Sequence, residues 1–159
     1  MAAAKKIAKK APAKAGAAEK KPAKSAPDAN RPLVLVVDDY ADAREMCCEI
    51  LQFGGFRTES ARDGLEALDM ATRLEPALIL MDLSIPGIDG WEATRRLKND
   101  ARTKSIPIIA LSGHAFEGHA DEARKAGCDA FLTKPCLPDD LISAVNRMLD
   151  RGAKRKKGT

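Results

Sequence analysis

The chain has 159 residues, enough for one domain with a real core and too few for two ordinary domains plus tails. Its 27 Lys+Arg against 23 Asp+Glu leave a net charge of +4, but the charge is segregated. Residues 1–31 hold eight lysines and Arg31 against Glu19 and Asp28 (+7), residues 151–159 hold five basic residues and no acid (+5), and residues 32–150 are left with −8. No apolar run approaches the roughly 20 residues of a membrane span, and lysines interrupt the start where a signal peptide needs an apolar core. The four cysteines, Cys47, Cys48, Cys128 and Cys136, match neither a zinc spacing nor a disulfide framework. Reduced, packed thiols and a cytoplasmic location are the expectation.

Residues 1–31 are rich in Ala, Lys and Pro and poor in large apolar side chains. Such a segment cannot bury enough surface to offset its ordering entropy, so a disordered basic arm is expected. The folded domain is expected over 32–150. Leu33–Val37 is a continuous apolar run, the pattern of a strand buried on both faces. After Asp38-Asp39 the spacing turns helical, with Met46, Ile50 and Phe53 on one side and Gly54-Gly55 as a stop. Arg57–Ala61 is a second strand, and Leu65, Leu68, Ala71 and Leu74 mark a second helix closed by Pro76.

Ala77–Met81 is another buried-strand run, followed by a Pro/Gly loop from Ser84 to Gly90 and a helix from Trp91 to about Lys98. Ile106–Leu111 gives a fourth strand, Glu117–Ala126 a polar helix stopped by Gly127, Ala130–Thr133 a fifth strand, and Leu137–Leu149 a last helix. Residues 151–159 are expected as a basic C-terminal tail. Five strand–helix units with apolar strands imply an α/β domain, a parallel sheet with helices on both faces. In such sheets the site lies at the carboxyl ends of the strands.

Reactive side chains end four of the strands: Asp38 and Asp39 the first, Asp82 the third, Ser112 the fourth and Lys134 the fifth. Parallel strands bring these five to one sheet edge. Three crowded carboxylates call for a cation, and an oxygen-only donor set suits a hard ion such as Mg²⁺, which takes one or two carboxylates, waters and phosphate oxygens. Lys134 supplies positive charge for an anion. A carboxylate can act as nucleophile in phosphoryl transfer, and Asp82 is the candidate. Taken alone, Asp38-Asp39 also fits a helix N-cap, and Ser112-Gly113 an ordinary turn.

Four separated motifs, Val36-Val37-Asp38-Asp39, the run from Met81 to Gly90, Ala110-Leu111-Ser112-Gly113 and Thr133-Lys134-Pro135, together resemble the response regulator receiver family over residues 33 to about 150. The resemblance implies a flavodoxin-like doubly wound sheet of strand order 2-1-3-4-5. It implies phosphotransfer to Asp82 from a histidine kinase or histidine phosphotransfer protein, with Mg²⁺ held by Asp38, Asp39, Asp82 and the Ser84 backbone carbonyl. Ser112 resembles the switch hydroxyl, Lys134 the phosphoryl-binding lysine and Phe131 the aromatic switch residue, and Pro135 follows the lysine where the family often has a cis bond. A stand-alone receiver with no output domain is expected, read by another molecule at the face of the fourth helix, fifth strand and fifth helix. Phe131 lacks a tyrosine hydroxyl, and Cys136 replaces a usually larger apolar residue.

His114, two residues after Ser112, is a candidate modulator of dephosphorylation, because imidazole exchanges protons near neutral pH. The basic arms are either solubilising tails or sequence-independent binders of nucleic acid. A haloacid-dehalogenase-type phosphatase needs a second Asp two residues after its nucleophile, where this chain has Ser84. Phosphate-binding glycine loops of the nucleotide-binding kinds are absent from the sequence.

Overall fold

The computed structural model describes residues 29–113 and 117–158. Five strands, β1 (Leu33–Val37), β2 (Arg57–Ala61), β3 (Leu78–Asp82), β4 (Ile108–Ser112) and β5 (Ala130–Thr133), alternate with α1 (Ala41–Phe53), α2 (Gly64–Leu74), α3 (Gly90–Asn99), α4 (Glu117–Ala126) and α5 (Pro138–Lys157). All neighbouring strands pair in parallel, in the order β2-β1-β3-β4-β5. This is the flavodoxin-like arrangement expected from the sequence.

The central strands are apolar throughout because helices cover both of their faces. Leu35, Val37, Ile79, Met81, Ile108 and Ala110 point to the side of α2, α3 and α4. Val34, Val36, Leu78, Leu80, Ile109 and Leu111 point to the side of α1 and α5. The polar β2, Arg-Thr-Glu-Ser-Ala, is tolerated because it is an edge strand bonded only to β1. β4 starts two residues later than Ile106, since Pro107 has no N–H for the ladder, although its carbonyl still accepts from Ile79 at 3.0 Å.

Two helices turn a different face to the sheet than the apolar spacing suggests. In α1 the buried residues are Cys47 and Leu51, while Met46 is 56% and Phe53 93% exposed and Ile50 only partly covered. In α2 the buried set is Gly64, Ala67, Met70 and Ala71, with Leu65 62% exposed and Leu74 at the rim. Small side chains let these helices approach the sheet closely, so hydropathy alone gives the wrong phase. α2 ends on Glu75 in the left-handed region (φ 45°), just ahead of Pro76.

The expected C-terminal tail is corrected: Arg151–Lys157 continue α5 instead of leaving it at Leu149. No proline breaks this stretch, and acids at Asp139 and Asp140 with bases from Lys154 to Lys157 suit the helix dipole at both ends. The basic arm expected over 1–31 falls outside the described residues except for its last three. Among the described residues no helix is long and apolar enough to cross a membrane.

Candidate phosphoryl and metal site

Each strand hands its polar terminus to the same edge by continuing the ladder one step past the apolar run. The Asp38 N–H donates to the Ala61 carbonyl at 3.1 Å, that of Leu83 to Leu111 at 3.0 Å and that of Lys134 to Ser112 at 2.7 Å. These bonds tie down the backbone where β1, β3, β4 and β5 end. Asp38, Asp82 and Ser112 are 1%, 6% and 2% exposed, and Asp39 is exposed.

Carboxylate oxygens of Asp38, Asp39 and Asp82 all lie within 4.8 Å of one another. Lys134 bridges two of them, with Nζ 2.6 Å from Asp38 Oδ2 and 3.1 Å from Asp82 Oδ2. Burial pulls the Lys134 ammonium towards neutrality, but the hydrogen bond to Asp38 and the charge of Asp82 outweigh it and raise its pKa. One ammonium against three carboxylates leaves the pocket two negative charges in excess. That excess and the hard oxygen donors fit a divalent cation of the Mg²⁺ kind.

Hydrogen bonds aim the acids. Asp38 Oδ1 accepts the Tyr40 N–H at 2.9 Å, and Asp82 Oδ1 accepts the Ser84 N–H at 2.9 Å. The capping alternative for Asp38-Asp39 does not hold: the N-cap of α1 is Tyr40, and no side chain caps it. Ser112 ends β4 beside Asp82, and Phe131 is half-buried on the α2–α4 face of the sheet. The Lys134–Pro135 bond is cis, as the resemblance implies. His114 lies outside the described residues.

Other residues in the site escaped the sequence reading. Arg44 Nη1 donates to the Asp38 carbonyl at 2.7 Å, tying α1 to the loop that carries the acids. Gly90 lets the start of α3 press against the chain just after Asp82, since a Cβ there would meet the Leu83 Cα at 2.6 Å. Asp89 caps the same helix by accepting the Glu92 N–H at 2.8 Å. Cys47 lies close enough to feel the charges of Lys134 and Asp38. Burial, with the neighbouring Cys136 and Asp38, pushes its thiol up to about 11 against the opposing pull of Lys134. Only Asp89, three residues before Glu92, carries a signal a sequence can show.

Comparison with known proteins shows the family of the chain. The model of the response regulator receiver domain matches residues 34–146. The chain belongs to the response regulator receiver family. Over 116 residues it is 34% identical to the polar-differentiation response regulator DivK of Brucella ovis, which covers 73% of this chain and 94% of that protein. The chemotaxis protein CheY4 of Vibrio cholerae superposes with a TM-score of 0.71 at 30% identity, covering 74% of this chain and 98% of that one. The receiver domain of the sensor histidine kinase PA1611 of Pseudomonas aeruginosa, solved with a magnesium ion in its active-site cleft, gives 0.71 at 29% identity over 76% and 98%.

Proposed function

We propose that this receiver is a phosphorylation-dependent switch that takes a phosphoryl group on Asp82 from the phosphohistidine of a histidine kinase or histidine phosphotransfer protein. The observation that carries the reading is the placing of Lys134 between Asp38 and Asp82, with Asp39 completing a three-carboxylate cluster. An Asp82 carboxylate oxygen attacks phosphorus, the P–N bond breaks, and its electron pair stays on the departing imidazole. Asp38, Asp39, Asp82 and the Ser84 carbonyl would hold Mg²⁺, which when bound would neutralise charge on the transferring phosphoryl group. Lys134 leaves its bridge to Asp82 for a phosphoryl oxygen, exchanging one charge-assisted hydrogen bond for another.

The Ser112 hydroxyl, buried at the end of β4, donates to a second phosphoryl oxygen, and Phe131 follows into the space it leaves. The surface of α4, β5 and α5 is then read by a partner that binds one arrangement better than the other. Phosphorylation moves that equilibrium only by its differential stabilisation of the two states. Intact-mass spectrometry after incubation with acetyl phosphate and Mg²⁺ tests the acceptor: one added phosphoryl in the parent and none in Asp82→Asn is expected. Undiminished labelling of Asp82→Asn, or of the parent with Mg²⁺ chelated, contradicts it.

A further inference from the structure

The two basic segments sit at opposite ends of the sequence, yet the fold delivers both to one place. Residues 29–32 enter at the amino edge of the sheet, where Arg57 fixes them: its Nε donates to the Arg31 carbonyl at 3.0 Å and its N–H to the Pro32 carbonyl at 2.9 Å. α5 starts four residues after Lys134, at the phosphoacceptor edge, and its 20 residues span roughly 30 Å at 1.5 Å per residue. It therefore brings Arg151–Lys157 back to the amino edge.

Between them lies a groove. One part, about 780 Å³, has Arg31, Arg57, Arg102 and Lys156 in its walls. The other, about 320 Å³, has Lys98, Lys104, Arg151, Arg155 and again Lys156, and the two share Ser105, Pro107, Met148 and Gly152. Among these cations Lys98 is paired with Asp129 and Arg102 with Asp100, each at 2.8 Å. Glu75 is the one further acid in the walls. Lys104, Arg151 and Arg155 are exposed and have no carboxylate partner among the described residues. Residues 1–28, with eight lysines against Glu19 and Asp28, are joined to the chain at the mouth of the groove.

We propose that this amino-edge groove, with the end of α5, is a docking surface for the phosphate backbone of nucleic acid. Arginine guanidinium groups bond phosphate oxygens two at a time, and the walls are rich in them. The charge of Lys104, Arg151 and Arg155, added to the eight lysines of residues 1–28, exceeds what a short acidic motif can neutralise, whereas a duplex repeats a phosphate charge about every 1.7 Å of its axis. Among the described residues, Leu74 at 37% exposure is the one exposed large apolar side chain in the groove walls, while Tyr40, Met46, Phe53, Leu65 and Leu137 lie off it, so it lacks the row of inserted anchors of a membrane surface. With no helix or strand among the described residues placed to read bases, the docking is independent of sequence. Asp82 faces away at the opposite edge and stays open to its phosphodonor.

Fluorescence anisotropy with a short labelled DNA duplex of arbitrary sequence, from low to physiological salt, tests the surface. The parent is expected to bind with log affinity falling against log salt by about 0.9 per phosphate contact. Arg151→Glu with Arg155→Glu, the arm intact, is expected to weaken binding about tenfold or more and to flatten the slope by roughly two contacts. Lys104→Glu, in the loop before β4 and outside the helix, is expected to weaken it several-fold, which covers the case in which the double variant melts the end of α5. Unchanged affinity in Lys104→Glu and in the folded double variant assigns binding to the arm alone and overturns the proposal. So does tighter binding of polyglutamate or of phosphatidylserine vesicles than of the duplex at equal salt.

Discussion

Lys134 and Cys47 are both neighbours of Asp38, and burial acts on each in its own way. For Lys134, two carboxylates within hydrogen-bond reach overcome the loss of water and keep the ammonium charged. Cys47 has no such partner, so burial dominates and its thiol is raised from 9.0 to about 11. Two pKa units cut the thiolate fraction at pH 8 about a hundredfold, and the thiolate is the reactive form. In the folded protein at pH 8, iodoacetamide should therefore modify Cys47 at least about a hundred times more slowly than in the urea-unfolded chain. Peptide mapping over a time course checks this, and equal rates in the two states contradict it. At this scale the sequence was informative where chemistry coincides with a strand end, as at Asp38, Asp82, Ser112 and Lys134. Arg44 and Gly90 were illegible because their roles lie in one backbone carbonyl and one close approach that only the folded chain creates.

The helices show how period and phase separate. α1 carries two apolar stripes, Met46-Ile50-Phe53 and Cys47-Leu51, both with helical spacing, and the sheet takes the smaller one. Leu51 packs among Val34, Val36 and Leu141, whereas Phe53 stands 93% exposed. Leu51→Ala should cost about 2–5 kcal/mol, the range for emptying a packed core position. Phe53→Ala should stay within about 0.5 kcal/mol, as surface changes do. Urea denaturation of the two variants decides it, and the reverse order contradicts the packing. The existence and order of the elements were legible from apolar runs and Gly/Pro stops, except at the polar β2 and α4, which only the alternation of strand and helix supported. The phase of α1 and α2 was not, because Ala and Cys rank below Leu and Phe in hydropathy yet fit closer to a sheet. The length of α5 was masked by its charges, which read as tail and act as a dipole-matched helix end.

As a whole, the molecule is electrostatically two-ended. Acids gather at the carboxyl edge of the sheet, in Asp38, Asp39 and Asp82, and bases at the amino edge, around Lys104, Arg151 and Arg155. Composition gave the size of the segregation but not its geometry, since nothing in a linear charge count says that Arg31 and Lys156 line one groove. The separation of roughly 30 Å along α5 exceeds the screening length of about 8 Å at physiological salt, so the two ends act independently. The acidic end, as proposed, carries an acyl phosphate on one particular carboxylate, Asp82. Borohydride reduces an acyl phosphate to the alcohol, turning the phosphorylated aspartate into homoserine at its own position. After acetyl phosphate and Mg²⁺, peptide mass mapping of the reduced protein should find homoserine at Asp82 and at no other aspartate, and none when Mg²⁺ is chelated. Homoserine at Asp38 or Asp39, or conversion of Asp82 without the metal, would contradict the account.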